Sequence, residues 1–372
     1  MNQKVPIPWT AEKWTSARRK LMNWFKKNQR ELPWRKNRDP YWIWISEVML
    51  QQTQVSTVRN YFPRFIEKFP TLQDLALAAE SEVLKCWQGL GYYRRARDLH
   101  RSAKMIYQDN GNQIPKNIDY WQNLPGIGRY LLGAILSQAF ELRLPIVEAN
   151  TRRLYARIFA IREDLAKGST QSKVWQLAEQ LLPHKKIGDF NQALMELGSL
   201  VCTQDNPQCQ QCPLNSICLA NQQNCVNEIP LRAPKKNIQR VNQLAFIIQK
   251  NNQWLICQKP ADGRWGNLWE FPSITLADGD SLLSFSDFKL EESLGISGTF
   301  LNESFDILYS ITRFKVQMRC FQIKYTKGTF LSNDYSQYSW VSRDEVSNYP
   351  FSTPHRKIIQ KMQNSEVYIE KK

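Results

Sequence analysis

The chain lacks the features that mark membrane, exported and repetitive proteins. No apolar run in its 372 residues approaches the roughly 20 residues that a membrane-spanning helix needs. The N-terminal stretch MNQKVPIPWTAEKW has no apolar core of a signal peptide, so we expect a cytoplasmic protein. No internal repeat or low-complexity tract occurs. With 42% hydrophobic and 23% charged residues, the composition is that of an ordinary globular protein.

Acidic residues are scarce relative to basic ones. The chain holds 50 Lys and Arg against 34 Asp and Glu, a net charge of +16. Residues 1–225 carry 31 basic and 19 acidic residues, whereas residues 226–372 carry 19 and 15. Charge that served only solubility would be spread evenly along the chain. The uneven excess therefore predicts a polyanionic partner for the first part.

The apolar pattern divides the chain into two regions. Apolar residues recur at helical spacing in five early stretches: 40–69, 72–87, 129–142, 151–161 and 171–182. From residue 241 onward the pattern changes to short β-rich runs with aromatic residues. We therefore predict a mostly α-helical domain over 1–220, a linker over 221–240 and a smaller α+β domain over 241–372.

Four cysteines stand close together, with six, two and five residues between them: Cys202, Cys209, Cys212 and Cys218. In a cytoplasmic protein such a group is more often a metal site than a disulfide framework. Four thiolates suit either an iron–sulfur cluster or a structural zinc ion. Structural zinc usually takes two tight pairs, whereas here one Cys-x2-Cys pair is flanked by single cysteines. Residue type alone leaves zinc, or unrelated buried thiols, as alternatives.

The sequence LPGIG, from Leu124 to Gly128, directly precedes a helical stretch. Gly126 and Gly128 allow a tight turn and a close approach of the backbone to a ligand. The following helix presents unpaired N–H groups and the positive end of its dipole, which attract phosphate. The motif favours a contact to a nucleic-acid backbone, although an ordinary turn between helices has the same composition.

Glu47 lies in a second motif, RELPWRKNRDPYWIWISEVMLQQTQV (residues 30–55). Asp39 and Pro40 predict a helix start, with Asp as N-cap and Pro at the first helical position. On that helix Glu47 has Trp44 and other apolar residues one turn away. Such surroundings raise the pKa of a carboxyl group, and a protonated carboxyl group is what general acid catalysis needs. On helix statistics alone, a solvated Glu would be the more common interpretation.

The motifs in combination resemble those of the A/G-specific adenine DNA glycosylases of the endonuclease III superfamily. The resemblance implies a helix-hairpin-helix glycosylase fold, with a [4Fe–4S] cluster on the cysteine quartet. It also implies that Glu47 protonates the adenine ring. The expected partner is double-stranded DNA that contains an A:8-oxoguanine or A:G mispair. We expect a monomeric, bacterial-type cytoplasmic enzyme that acts on the nucleoid.

One position departs from the adenine glycosylases, and another departs from endonuclease III but is a Tyr or Ser position in the adenine glycosylases. The adenine glycosylases have Asp where this chain has Glu148, and the resemblance implies that Glu148 stabilises the oxocarbenium-like sugar. The alternative is a residue at a helix start, before Asn150 caps the next helix; we also expect Asn150 at the DNA. Endonuclease III enzymes carry a Schiff-base lysine at the position of Tyr130. Tyrosine cannot form that imine, so a monofunctional hydrolase is predicted.

Further DNA contacts are implied by the resemblance. Gln52 and Tyr92, the latter in QGLGYYRRARDL (88–99), would insert into the base stack around the mismatch. Arg35 and Gln192 match positions near the adenine pocket. The hairpin residues Leu124, Gly126 and Gly128 would contact the backbone without reading its sequence.

RWGNLWEFPS (264–273) resembles the Nudix-like C-terminal domain with which these glycosylases recognise 8-oxoguanine. FKLEESLGI (288–296) lacks the Arg-Glu that begins the metal helix of Nudix hydrolases, so we expect no pyrophosphatase activity. In YSITRFKV, Ile311, Thr312 and Arg313 replace the Phe-Ser-His triplet of the lesion-reading hairpin. Thr312 and Arg313 retain a hydroxyl group and N–H donors, although the stretch could also be a plain β-strand.

Three alternative functions remain on the sequence. A mismatch-specific thymine glycosylase would share the helical domain and Tyr130, but the C-terminal domain accompanies the adenine enzymes. A Nudix nucleotide hydrolase would need the metal helix. A non-catalytic iron–sulfur protein that binds DNA would account for the charge but not for an acid at Glu47.

Overall fold

The computed structural model describes residues 5–231, 237–263, 265–276 and 290–367. Arg264, Phe288, Lys289 and residues 232–236 of the predicted linker lie outside them. In chain order the helices and strands are α1 (Ala11–Asn28), α2 (Pro40–Leu50), α3 (Val55–Lys68), α4 (Leu72–Leu77), α5 (Glu80–Trp87), α6 (Arg94–Asn110), α7 (Ile118–Gln122), α8 (Arg129–Phe140), α9 (Ala149–Ile158), α10 (Gly168–Leu181), α11 (Ile187–Leu200), α12 (Leu219–Gln222), β1 (Gln239–Lys250), β2 (Gln253–Gln258), β3 (Trp269–Glu270), β4 (Ser273–Thr275), α13 (Leu290–Leu294), β5 (Ile296–Ile311), β6 (Phe314–Gly328), β7 (Gln337–Ser342) and α14 (Thr353–Val367).

The chain forms two compact units. The first contains Met1–Leu77 and Asp98–Pro234, and the second contains Ala78–Arg97 and Lys235–Lys372. The sequence prediction assigned residues 78–97 to the first domain, whereas the structure groups them with the second unit. Within that unit the Tyr93 hydroxyl group donates to the carbonyl oxygen of Phe351 at 3.2 Å, and Asn267 donates to Glu80 at 2.6 Å.

The first unit is built around two buried helices. Helix α8 is buried from Leu131 to Gln138, and α2 is buried from Ile43 to Met49; the two helices pack against each other. A helix that is apolar on all sides must be covered on all sides, and α11 and α7 also pack on α8. Asp39 caps α2 by accepting from the backbone N–H groups of Tyr41 and Trp42, which confirms the predicted helix start. The two helices form a rigid support for any polar side chain that they carry.

The second unit contains a mixed sheet in the order β3-β2-β1-β6-β5, with β4 on β1 and β7 on β2. β1 and β6 are parallel, and the other described pairs are antiparallel. Alternate residues of β1 enter different cores: Ala245 and Ile247 enter one, and Leu244 and Phe246 enter the other. Apolar groups therefore cover both faces of the sheet.

The predicted division into a mostly helical region and an α+β region is confirmed. The predicted strand runs after residue 241 correspond to β1, β2, β6 and β7. The sixteen-residue strand β5 was not predicted over most of its length. Among the described residues, no helix is both long enough and apolar enough to cross a bilayer.

Candidate active site

Glu47 is 4% exposed and its carboxylate is held by two side chains of α8. The Tyr130 hydroxyl group donates to Oε2 at 2.8 Å, and the Gln138 amide donates to Oε1 at 2.8 Å. Tyr130 and Gln138 are about two helical turns apart, so one rigid helix supplies both donors. The sequence analysis identified Tyr130 but missed Gln138.

Burial dominates the electrostatics of Glu47. It raises the pKa of the carboxyl group, while the hydrogen bonds from Gln138 and Tyr130 and the charge of Arg35 oppose the shift. The nearby Glu148 carboxylate adds to the rise. Burial also raises the pKa of the Tyr130 hydroxyl group well above its usual value, so Tyr130 remains a hydrogen-bond donor. The predicted raised pKa of Glu47 is confirmed.

A cavity of about 850 Å³ in the first unit is lined by Ile43 of α2, one helical turn before Glu47. Gln138, which holds Glu47, lines it together with Arg35 and Gln192. The structure thus brings together two residues that the sequence analysis assigned to a base pocket. Trp34 and Phe25 provide flat apolar walls, and the volume is in the range of small-molecule sites. The cavity can accept a planar base next to an acid.

Arg35 is fixed by Glu196, a residue that the sequence analysis did not single out. Glu196 is 1% exposed and accepts from both terminal nitrogens of Arg35, at 3.3 and 3.2 Å. Arg30 adds two side-chain bonds of 2.9 Å to the same carboxylate. Burial by itself would raise the pKa of Glu196, but the two guanidinium groups lower it to about 2. A charged Glu196 therefore holds Arg35 against the cavity.

Glu148 is the N-cap of α9. Its carboxylate accepts from the backbone N–H groups of Asn150 and Thr151, each at 2.8 Å. The alternative interpretation placed Glu148 at the helix start, as observed, but its assignment of the cap to Asn150 is wrong, because α9 already begins at Ala149. Asn150 instead lies in the first turn, where its side-chain oxygen accepts from Arg153. The Glu148 charge nevertheless reaches the pocket, since it contributes to the raised pKa of both Glu47 and Tyr130.

Glycine occupies the two hairpin positions, 126 and 128, for different structural reasons. Gly126 has φ +75°, and a Cβ atom there would lie 2.8 Å from the Asp98 side chain. Gly128 is the N-cap of α8 with an ordinary φ of −92°, and a Cβ atom there would meet nothing within 4 Å. The fold therefore favours glycine at 126, whereas at 128 glycine leaves an open approach to the backbone. Leu124, predicted as a DNA contact, has a buried side chain that anchors the loop.

Three of the predicted DNA contacts have left-handed backbones: Gln52 with φ 56°, Tyr92 with φ 49° and Thr312 with φ 51°. Such values are uncommon for residues other than glycine. Tyr92 is 52% exposed, as an inserting side chain requires. Thr312 and Arg313 form the two-residue turn between β5 and β6. Gln52 belongs to the first unit and the other two to the second.

The four spaced cysteines line one small cavity in the first unit. Among the described residues, no group of three or more His, Cys, Asp or Glu side chains is arranged to hold a metal ion. Two buried arginines surround Cys202. Arg157 donates to its sulfur at 3.3 Å, and Arg153 donates to its carbonyl oxygen at 2.8 Å. Four thiols beside buried guanidinium groups fit an anionic thiolate-bound group, because its charge would compensate theirs.

Comparison with known proteins places this geometry in a family. Residues 45–181 match the model of the HhH-GPD superfamily base excision DNA repair proteins, and residues 243–361 match the NUDIX domain. The adenine DNA glycosylase of Rattus norvegicus is 32% identical over 93% of this chain and 78% of its own length. The adenine DNA glycosylase of Buchnera aphidicola (subspecies Baizongia pistaciae) is 31% identical over 94% and 97%. The chain belongs to the adenine DNA glycosylase family.

As a member of this family the protein is a DNA glycosylase of base excision repair, which hydrolyses N-glycosyl bonds and binds DNA. A solved thermostable thymine-DNA glycosylase resembles it with a TM-score of 0.51 and 29% identity, over 57% of this chain and 98% of that one. That likeness leaves over two fifths of this chain unmatched. The two adenine glycosylases match nearly all of the chain.

Proposed function

We propose that the protein removes adenine mispaired with 8-oxoguanine or guanine, and that it does so by hydrolysis without a covalent intermediate. The observation that carries the proposal is a buried Glu47 with a raised pKa, whose hydrogen-bond donor Gln138 lines a cavity together with Arg35 and Gln192. A neutral carboxyl group at such a place can donate its proton to a base in the cavity.

In the proposed reaction, adenine leaves the base stack and enters the cavity. Glu47 transfers its proton to a ring nitrogen, and the electrons of the glycosidic bond pass to the departing base. The carboxylate of Glu148 stabilises the cationic sugar. A water oxygen then bonds to the sugar carbon and loses a proton, which leaves an abasic site. Tyr130 holds Glu47 as a hydrogen-bond donor and takes no covalent part.

The remaining contacts are assigned by their position. Gly128 and the start of α8 would receive a phosphate, because the backbone there is open. Gln52 and the exposed Tyr92 would enter the base stack, with Asn150 near the same strand. Thr312 and Arg313, at the β5–β6 turn, would contact the opposite base. Support for these roles comes from exposure and backbone conformation.

We infer that Cys202, Cys209, Cys212 and Cys218 hold a [4Fe–4S] cluster. A single zinc ion would require all four sulfur atoms to lie about 2.3 Å from one metal atom. In a cluster, the same sulfur atoms bind several different iron atoms and can lie farther apart. When bound, the cluster would hold its loop in shape and provide the negative charge that Arg153 and Arg157 face. We expect its loss to weaken DNA binding before it impairs acid catalysis.

A glycosylase assay tests the proposal. Duplexes with A:8-oxoguanine, A:G, T:G and A:T would be incubated with the wild type and with Glu47→Gln under single-turnover conditions. We expect excision from the first two duplexes, and a loss of at least about 100-fold in Glu47→Gln, as for a general acid. Excision from T:G in place of A:8-oxoguanine would contradict the assigned substrate, and an unchanged rate in Glu47→Gln would contradict the catalytic role.

A further inference from the structure

The cavity lined by Gln138 has a wall of two kinds. Its less exposed part, which we call the inner end, contains Gln138, Gln192 and Arg35, with Trp34 and Phe25 as flat walls. Its more exposed part, which we call the mouth, is cationic and contains Arg18 and Lys26 of α1 and Lys185 and Lys186 from the segment before α11. A single ligand with one flat polar end and one anionic end would satisfy both regions.

The charge at the mouth is not neutralised by the protein. Asp189 is the one acidic residue among the described residues that line the cavity, and Arg38 already binds it at 2.7 Å. Within the described part of the chain, Arg18, Lys26, Lys185 and Lys186 form no ion pair. Arg18 and Lys26 are eight residues apart on α1, so the cations are spread over about two helical turns. Such a cluster attracts a phosphate group.

A free nucleotide fits these features better than a DNA strand. None of the predicted backbone contacts Leu124, Gly126 and Gly128 lines the cavity. The volume of about 850 Å³ is ample for a single base, and within the range of sites for ligands of nucleotide size. Amide and guanidinium groups at the inner end can pair with the edge of a purine, while its phosphate stays at the mouth.

We propose that this cavity binds a free purine mononucleotide, with the base beside Gln138 and Gln192 and the phosphate between α1 and the Lys185–Lys186 segment. The bound nucleotide would occupy the space into which a flipped adenine enters, and would therefore inhibit excision competitively. The inhibition rests on the proposed function, whereas the binding does not.

Equilibrium dialysis with labelled AMP tests the binding without DNA. We expect adenosine and inorganic phosphate each to compete at least about tenfold more weakly than AMP, since each engages one end of the cavity. Arg18→Gln with Lys26→Gln should weaken AMP binding by about tenfold. The matched control is Arg19→Gln with Lys27→Gln, which removes the same charge from the same helix at two exposed positions that do not line the cavity.

The possible results test the nucleotide site separately from the proposed excision reaction. Three results would each overturn the nucleotide site: undetectable AMP binding at millimolar concentration, equal losses in both double variants, or phosphate as strong a competitor as AMP. AMP binding that depends on Arg18 and Lys26 in a protein without adenine excision would support the site while contradicting the proposed function. Where excision is observed, AMP should raise KM for mispaired DNA and leave kcat unchanged; an unaltered KM would overturn the inhibitory role.

Discussion

At the scale of single residues, Glu47 is under two opposing influences. Removal from water favours its neutral form, whereas the two hydrogen bonds from α8 favour its carboxylate. Burial is the larger effect, so Glu47 keeps its proton to a higher pH in the folded protein than in the unfolded chain. Burial thus favours the acid form at a cost in folding stability.

The dependence of that cost on pH can be measured. Because the pKa of Glu47 is raised in the folded state, its contribution to stability is fully present below the usual value of 4.5. It is then lost as the pH rises through the folded pKa. Glu47→Gln removes the titrating group, so its free energy of unfolding relative to wild type should increase as the pH rises above 4.5. The slope of this increase can reach about 1.4 kcal/mol per pH unit.

Urea unfolding of both proteins at several pH values gives this difference. The control is Glu67→Gln on α3, which makes the same substitution at an exposed position. A constant difference between Glu47→Gln and wild type would show that Glu47 titrates in the folded protein as it does in the unfolded chain.

Glu148 has two possible roles that a pair of substitutions can separate. Asn accepts hydrogen bonds at an N-cap nearly as well as Asp, so Glu148→Asn should keep the start of α9 but remove the charge. Glu148→Ala removes both and should cost about 1 kcal/mol of stability. We expect both variants to lose about 100-fold or more in single-turnover excision. Full activity in a stable Glu148→Asn protein would leave the residue with the capping role alone.

At the scale of elements, two substitutions in the hairpin before α8 distinguish an effect on stability from an effect on DNA binding. Gly126→Ala forces a Cβ atom to within 2.8 Å of Asp98 at a positive φ, and should destabilise the protein by about 1–3 kcal/mol. Gly128→Ala meets no neighbour, so its stability should stay within about 0.5 kcal/mol of wild type. Its affinity for undamaged duplex DNA should nevertheless fall, because the methyl group blocks the approach of a phosphate. Thermal unfolding and fluorescence anisotropy distinguish the two effects, and unchanged affinity in Gly128→Ala would contradict the phosphate contact.

Short-range signals in the sequence predicted the elements well. Asp39-Pro40 predicted the start of α2, and the apolar residues around Glu47 in the sequence predicted its raised pKa. Both signals lie within a few residues of the feature that they predict. Long-range partners could not be predicted in this way. Gln138 and Glu196 lie 91 and 161 residues from the side chains that they hold, Glu47 and Arg35. No local pattern marks a polar residue whose partner the fold supplies.

At the scale of the whole molecule, the chain contributes two separate segments to the second unit. Residues 78–97 are enclosed by sequence that belongs to the first unit, yet they group with residues 235–372. They include Tyr92, which is predicted to insert into the base stack. The second unit therefore depends on two distant parts of the sequence, and a boundary near residue 240 does not separate them.

Removal of residues 237–372 should for this reason disturb residues 78–97 more than the rest of the chain. The segment would lose the bonds from Tyr93 to Phe351 and from Asn267 to Glu80, and also the bond from Arg97 to the carbonyl oxygen of Gly266. Hydrogen exchange should become at least about tenfold faster in amides of 80–97, whereas α8, buried in the first unit, should keep its protection. Equal protection of 80–97 in the full-length and shortened proteins would mean that the segment folds without residues 237–372. Faster exchange there would instead mean that the shortened protein loses the ordered position of Tyr92 along with the C-terminal sheet.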